Sequence, residues 1–481
     1  MHATLGWRLA QFLLGCVLAS SLAGARGVSP YLPMKLSPEI ERQVERLMVM
    51  ADMPILIKPF RASDVQRALD KACETPNAVC RQVNDYLYRF KHDAGITHAS
   101  ASVSYADDDQ VVNTNQRGKF LPNQRGVTTD SNYQVSAQAY WQPGDHVIVN
   151  IGAIAFKGDV IPTAYLTFGN AAIQVDVGWR EYWYSPFQDS SMLFSTNAQA
   201  SPSVAISNSR PLTSWGFHYE LFTMKLEETD GILFQGERSS GRPYLSGIHL
   251  DIQPLPGWSL GLNRTFQFGG GGRDNSLSTI LRSFFDPGSD NSDTPEERDK
   301  EGGNQLGSIS SRFNYPGRVP FSIYMEYAGE DTSKNSKFRL GNAALSLGLF
   351  FPLVTKNLDL TYEFSDWQNA WYVNGIYANG YTNEGSIIGH WGANERVFGD
   401  AVGAQAHTLK INWDVGARSL IHATYRTLDN ENYSSVNYVR SHELQMRYSY
   451  RLPELITGVD LYFGRTTLDD DFVNVGAFVR W

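Results

Sequence analysis

The residues best suited to chemistry lie between positions 367 and 403. Trp367, Trp371, Tyr372, Tyr377, Tyr381 and Trp391 are interleaved there with Asn369, Asn374, Asn379, Asn383, Glu384, His390, Asn394 and Arg396. Flat rings lie well against the C–H faces of sugars, while amides and charges take the hydroxyls, so this is the composition of a carbohydrate surface. In that reading Trp367, Trp371, Tyr377, Tyr381 and Trp391 stack on sugars, and His390, Asn394 and Arg396 orient them. Arg396 would matter most for a glycan carrying uronic acids. Trp183 and Tyr184, in the stretch 181–201, are a second candidate pair. The same aromatics could instead pack the loop against itself or form an interfacial girdle, and composition does not separate these readings.

Catalytic patterns are weaker. His218, His249, His390, His407, His422 and His442 are scattered, with neither a GxSxG elbow nor a metal-ligand spacing. Gly269 to Gly272 and Arg273 lack the lysine and Ser/Thr of a phosphate loop. Asp286, Asp290, Asp293, Glu296 and Glu297 do not have EF-hand spacing and read as a solvated acidic loop. Asp107 to Asp109 and Asp469 to Asp471 flank the first and last expected strands and read as solubilising charge. No catalytic residue, metal or other cofactor is expected.

Elements that could position the aromatic loops follow from the rest of the chain. Val473, Val475, Ala477, Val479 and Trp481 form one apolar face of a terminal strand, an edge that a soluble domain seldom leaves open. Asn474, Gly476, Val479 and Trp481 resemble the C-terminal insertion signal of bacterial outer-membrane barrels. From about residue 98 the pattern is alternation, as in Leu358, Leu360, Tyr362 and Phe364 against Asp359, Thr361, Glu363 and Ser365. Eighteen such segments can be read, an even number as single-chain barrels require, and one slip at 162–168 or 202–209 would break the parity. Short connections such as 143–145 and 316–317 alternate with long ones such as 107–130, 181–201 and 367–403. The expected fold is all-β and transmembrane: an 18-stranded antiparallel outer-membrane β-barrel over 97–481 with a small N-terminal helical periplasmic segment. With 25 Phe, 24 Tyr and 11 Trp, the chain has the aromatics for girdles, and its net charge of −9 argues against nucleic acid.

Residues 1–25 read as a secretory signal, with Arg8, an apolar run and Ala23-Gly24-Ala25 as the cleavage site. Leu13-Leu14-Gly15-Cys16 is a competing, looser match to a lipoprotein signal. Residues 26–96 read as a helical unit, either beside the membrane or plugging the barrel's periplasmic mouth. Ser37-Pro38-Glu39, Ser63-Asp64 and Asn77 are its helix starts. Cys73 and Cys80 lie close enough to pair in an oxidising compartment; two free thiols are the alternative.

Several stretches resemble the capsule-assembly Wzi family. They are Gly178-Trp179-Arg180-Glu181-Tyr182-Trp183-Tyr184-Ser185-Pro186, Leu193 to Ala198, Gly261 to Thr265 with Phe268-Gly269-Gly270, and Gly303 to Leu306. Gly380-Tyr381, Gly385 and Ile388-Gly389-His390 continue the match, as do Leu47, Ala51-Asp52 and Ile55. The sequence departs at Tyr184-Ser185-Pro186, where the family often has Gly-Pro after the tryptophan. The resemblance implies an 18-stranded barrel with a periplasmic helical bundle and lectin-like binding of capsular or other extracellular polysaccharide, rather than an export channel. The expected partners are cell-surface polysaccharide, outer-membrane lipid and lipopolysaccharide, and the barrel-assembly machinery during insertion, with the protein a monomer. A diffusion porin and a barrel enzyme acting on glycan or lipid are the alternatives.

Overall fold

Alternation along the chain becomes one closed antiparallel sheet in the computed structural model, which describes residues 27–75, 77–106, 131–276, 278, 303–330, 341–397 and 399–481. The signal segment with Cys16, Asp107 to Asp109 and the acidic run 286–297 lie outside the described residues. The first nine strands are β1 (Ala94–Ala106), β2 (Tyr133–Gly144), β3 (Val147–Phe156), β4 (Asp159–Pro162 and Tyr165–Gly169), β5 (Gln174–Trp179), β6 (Pro202–Ser207), β7 (His218–Lys225), β8 (Tyr244–Leu255) and β9 (Trp258–Phe268). The other nine are β10 (Gly303–Tyr315), β11 (Phe321–Glu330), β12 (Ala343–Thr355), β13 (Leu358–Trp367), β14 (Ala404–Asp414), β15 (Ser419–Asn430), β16 (Ser441–Arg451), β17 (Ile456–Arg465) and β18 (Asp471–Arg480). Both pieces of β4 pair with β3, either side of a break at Thr163 and Ala164, so they fill one place in an 18-stranded barrel. β1 closes it against β18, from Ser100 opposite Arg480 to Ala106 opposite Asn474. β1 begins at Ala94, so the barrel takes three residues of the segment assigned to the helical unit.

The two faces of the wall differ as membrane solvation demands. Outward residues such as Val103, Tyr105, Ile151, Leu262, Ile309 and Val475 are apolar and exposed. Inward residues of the wall, such as Ser308, Ser310, Arg312, Asp359 and Thr361, are polar and buried. A water-soluble sandwich would have these reversed; an apolar belt outside a closed sheet is the arrangement that lipid stabilises. Among the described residues no helix is long and apolar enough to cross a membrane.

The N-terminal segment forms α1 (Pro38–Met50), α2 (Ala62–Ala72) and α3 (Ala78–Leu87) around Val44, Leu47, Ile55, Val65, Leu69, Val79 and Val83. Asn77 caps α3 by accepting the Cys80 N–H at 2.9 Å. Ser37 precedes α1 without capping it; its hydroxyl meets His98 Nδ1 of β1 at 3.1 Å instead. α2 starts at Ala62 after Arg61, not at a Ser63-Asp64 cap, because the Ser63 hydroxyl donates to the Ser209 carbonyl. Cys73 and Cys80 are joined by a disulfide. The segment sits in the end of the barrel that carries the short turns. There the Val28 N–H donates to the Asp145 carbonyl at 2.7 Å, and Asp52 accepts the Gly257 N–H at 2.8 Å.

α1 enters the lumen. Arg42 makes two hydrogen bonds to Asp359 of β13 (2.6 and 2.8 Å) and two to Asp414 of β14 (2.8 and 2.9 Å), and Arg46 also pairs with Asp359. Glu39 accepts from Ser449 and Arg480 at 2.8 and 2.6 Å. These buried ion pairs make the plug's orientation specific, since any other seating would strand a charge.

Candidate functional site

Two connections at the long-loop end turn inward and lock together as a cap. Residues 180–201 follow β5, and residues 368–403 follow β13. Ser195 donates through its N–H to the Ile388 carbonyl and through its hydroxyl to the Gly389 carbonyl, at 3.0 and 2.6 Å. The Asn197 amide donates to the Ile387 carbonyl at 2.8 Å, and the Tyr372 hydroxyl donates to the Met192 carbonyl at 2.6 Å. The first loop also descends to the plug: Trp183 and Tyr184 pair as a short strand with Lys58 and Ile57.

A carboxylate of the cap reaches the wall, while Glu363 of β13 accepts the Gln188 and Asp189 N–H groups at 2.7 and 2.9 Å. Asp189, its side chain 2% exposed, accepts two hydrogen bonds from Arg426 of β15 at 2.8 and 2.7 Å. It also accepts from Thr408 (2.9 Å) and from the Trp391 indole (3.0 Å), and lies 3.1 Å from Lys410 Nζ.

The ten sugar-binding candidates lie within this assembly. Trp367, Trp371, Tyr377, Tyr381, His390, Trp391, Asn394, Arg396, Trp183 and Tyr184 each show 5% or less of their surface to solvent. Tyr381 donates to Thr265 of β9 at 2.9 Å, and Tyr377 to the Gly269 carbonyl at 3.1 Å. Asn394 accepts the Ile387 N–H, and Arg396 donates to the carbonyls of Val402 and Trp371. Trp367 packs on His390 with ring centres 4.7 Å apart. The structure therefore brings most of them together, but as the interior of the cap, with their faces against protein. Trp371→Ala is expected to lower stability by about 3–5 kcal/mol through the cavity it leaves; a melting temperature indistinguishable from wild type would contradict this packing role. At the terminal strand, Asn474 and Gly476 lie on the lumenal side, and Val479 and Trp481 on the exposed side.

A group that composition did not single out lies outside the cap. Tyr433, between β15 and β16, is 54% exposed, and its hydroxyl accepts the Gly403 N–H at 2.7 Å. The Glu431 N–H donates to the Gly403 carbonyl at 2.9 Å, and Gly403 abuts the exposed Gln368 and Asn369. Ser434 and Tyr438 both donate to Asp400, at 2.5 and 2.7 Å, tying this loop to the cap. Burial and the Asp400 carboxylate push the Tyr438 phenol up to about 12. The clue was the run Asn430-Glu431-Asn432-Tyr433, aromatic and amide together between two strands.

Comparison with known proteins gives the same architecture. Among solved structures, Escherichia coli Wzi superposes with a TM-score of 0.69 at 15% identity, over 95% of this chain and 99% of that one. That protein is an outer-membrane, carbohydrate-binding β-barrel involved in group 1 capsule assembly. Pseudomonas aeruginosa OccK3 (OpdO) gives 0.48 at 11% identity over 82% of this chain and 97% of that one. OccK11 (OpdR) of the same organism gives 0.47 at 10% over 81% and 94%. No curated protein matches the chain in sequence. The family model for the capsule assembly protein Wzi matches residues 98–469, from the first strand to the turn before the last. The chain belongs to the capsule assembly protein Wzi family.

Proposed function

We propose that this protein binds capsular or other extracellular polysaccharide at the cell surface and anchors it there, without catalysing a reaction. The observation that carries the reading is the cap: two long loops, 180–201 and 368–403, turn inward into an aromatic-cored platform with hydroxyls and amides outside. The carbohydrate binding of Escherichia coli Wzi supports it by likeness. In this reading the barrel sits in the outer membrane, inserted by the barrel-assembly machinery and surrounded by lipid and lipopolysaccharide. The cap faces outward and the helices face the periplasm. The ten buried candidates serve binding as the frame that holds the cap, and Tyr433 with Gln368, Asn369 and Glu431 offers the contact surface. Each contact is weak, and repetition along a polymer adds avidity.

The test is binding of the purified, detergent-folded protein to its own host's surface polysaccharide. Saturable binding is expected, and Tyr433→Ala is expected to weaken it about tenfold, the equivalent of roughly 1.4 kcal/mol. An absence of binding at any polymer concentration would overturn the reading. Binding unchanged in Tyr433→Ala would move the contact surface elsewhere on the cap. In planar bilayers the wild-type protein is expected to be silent, whereas a diffusion porin would show steady conductance.

A further inference from the structure

The N-terminal segment hides its large apolar side chains with one exception. Among the described residues of 27–93, Tyr88 is the only one left exposed, at 57%. It begins a short 3-10 turn, Tyr88–Phe90, between the end of α3 and the start of β1. Successive side chains of such a turn point about 120° apart, so the three leave it in three directions. Phe90 stacks on Tyr140, with ring centres 5.6 Å apart. Arg89 reaches the terminal strand: its Nη1 donates to the carbonyls of Thr97 and Trp481, both at 3.1 Å, and its guanidinium lies 4.0 Å from the centre of the Trp481 ring. Tyr88 takes the third direction. Its ring meets His92 edge-on at 5.2 Å, and Lys91 Nζ lies 5.8 Å from its centre.

The turn hangs at the edge of the apolar belt. Ile96, Trp141 and Trp481 are exposed residues of that belt, and Trp141 precedes the short turn at 143–145. The Tyr140 hydroxyl donates to the carbonyls of Arg89 and His92, and the Gln142 N–H to the Asp93 carbonyl at 2.6 Å, which holds the turn against the rim. Rings and long cations side by side at the border of an apolar surface suit a membrane interface: the rings sit at headgroup depth, and the stems lie along the apolar surface with their charges in the polar layer. Nη1 of Arg89 is taken by the two carbonyls, which leaves the Nε and Nη2 donors for a phosphate. Against Arg89 and Lys91 the connection 88–93 carries one acid, Asp93. Continuity with the belt selects the occupant, since a protein docking on Tyr88 would have to displace the lipid that covers Ile96 and Trp141.

We propose that residues 88–93 dock on the membrane surface at this end of the barrel, with Tyr88 in the headgroup layer and Arg89 and Lys91 on phospholipid phosphates. The plug is then clamped to the bilayer as well as to the wall. The docking needs only a barrel that spans a bilayer; naming the leaflet as the periplasmic one rests on the orientation proposed above.

The test replaces Tyr88 with the photoreactive p-benzoylphenylalanine in the whole protein, reconstituted in vesicles of phosphatidylethanolamine and phosphatidylglycerol. The two leaflets have the same composition, so the direction of insertion does not matter. After irradiation, phospholipid adducts are located by peptide mass spectrometry. Adducts are expected at position 88 and not in a parallel sample with the same label in place of Glu74, an exposed residue in the turn between α2 and α3. Lys91→Gln, a change on an exposed side chain, is expected to lower the ratio of phosphatidylglycerol to phosphatidylethanolamine adducts about fivefold, the loss of one basic group near an anionic surface. Adduct yields at position 88 no higher than at position 74 overturn the docking. A ratio unchanged in Lys91→Gln overturns the placement of Lys91 on phosphate. Polysaccharide binding is measured in the same preparations. Adducts without polymer binding leave the docking and remove the functional reading, and polymer binding without adducts does the reverse.

Discussion

Asp189→Ala is expected to unseat the cap and open the lumen. The carboxylate is the common partner of Arg426, Lys410, Thr408 and the Trp391 indole, all within 3.1 Å. Without it two cations remain buried with no anion between them, and breaking a buried pair from one side costs about 3–5 kcal/mol. The loss falls on the joint between loop and wall, because the strands keep their ladders. Faster proteolysis within 181–201 and the appearance of bilayer conductance are therefore expected before any global unfolding. Asp189→Asn keeps the shape and part of the hydrogen bonding, so it should fall between alanine and wild type. A silent bilayer with unaltered proteolysis in the alanine variant would show that the remaining contacts, such as Glu363 with the 188–189 backbone, hold the cap without Asp189.

Asp359→Ala should act at the other end. Asp359 is fully buried and holds both Arg42 and Arg46 of α1, with Asp414 sharing the load. Its removal is expected to cost about 3–5 kcal/mol, concentrated in the seating of the plug. Hydrogen exchange across residues 38–50 should quicken while exchange in β12 to β14 changes little. A quadruple variant, Asp359→Leu and Asp414→Asn with Arg42→Met and Arg46→Met, is expected to recover much of the stability, since it leaves no carboxylate at this joint without its cation. If the quadruple variant is as unstable as Asp359→Ala, the wall requires the charges for more than orientation.

Wall and interior differed in how far the sequence could be read. In the wall, each residue's partner face is set by a period of two, so Leu358 to Ser365 declared two faces locally, while the leader and the terminal strand decided which of them meets lipid. Asn77 was legible for the same reason, because a cap needs only its own next turn. Where side chains found better partners across the barrel, local rules failed: Ser37 turned to His98, and Ser63 to Ser209. The aromatics of 367–403 have the right composition for a sugar surface, yet composition has no direction. Whether Tyr372 faces solvent depends on Met192 and Glu330, more than 40 residues away on other elements. Likewise nothing near Trp183 announces Lys58, or near Asp189 announces Arg426. Tyr433 was missed because a single exposed ring in a short connection has no period to reveal it.

The partners of α1 also impose a timetable. Arg42 and Arg46 wait for Asp359 and Asp414, Glu39 waits for Ser449 and Arg480, and Arg89 stacks on Trp481 with its guanidinium 4.0 Å from the ring. The first helix of the chain can complete its ion pairs only on strands from the second half of the barrel. Contacts of such sequence separation form late, after the entropy of the intervening loop has been overcome. Until β18 reaches β1, Glu39 lacks its partner Arg480, and that pairing reports that the ring has closed.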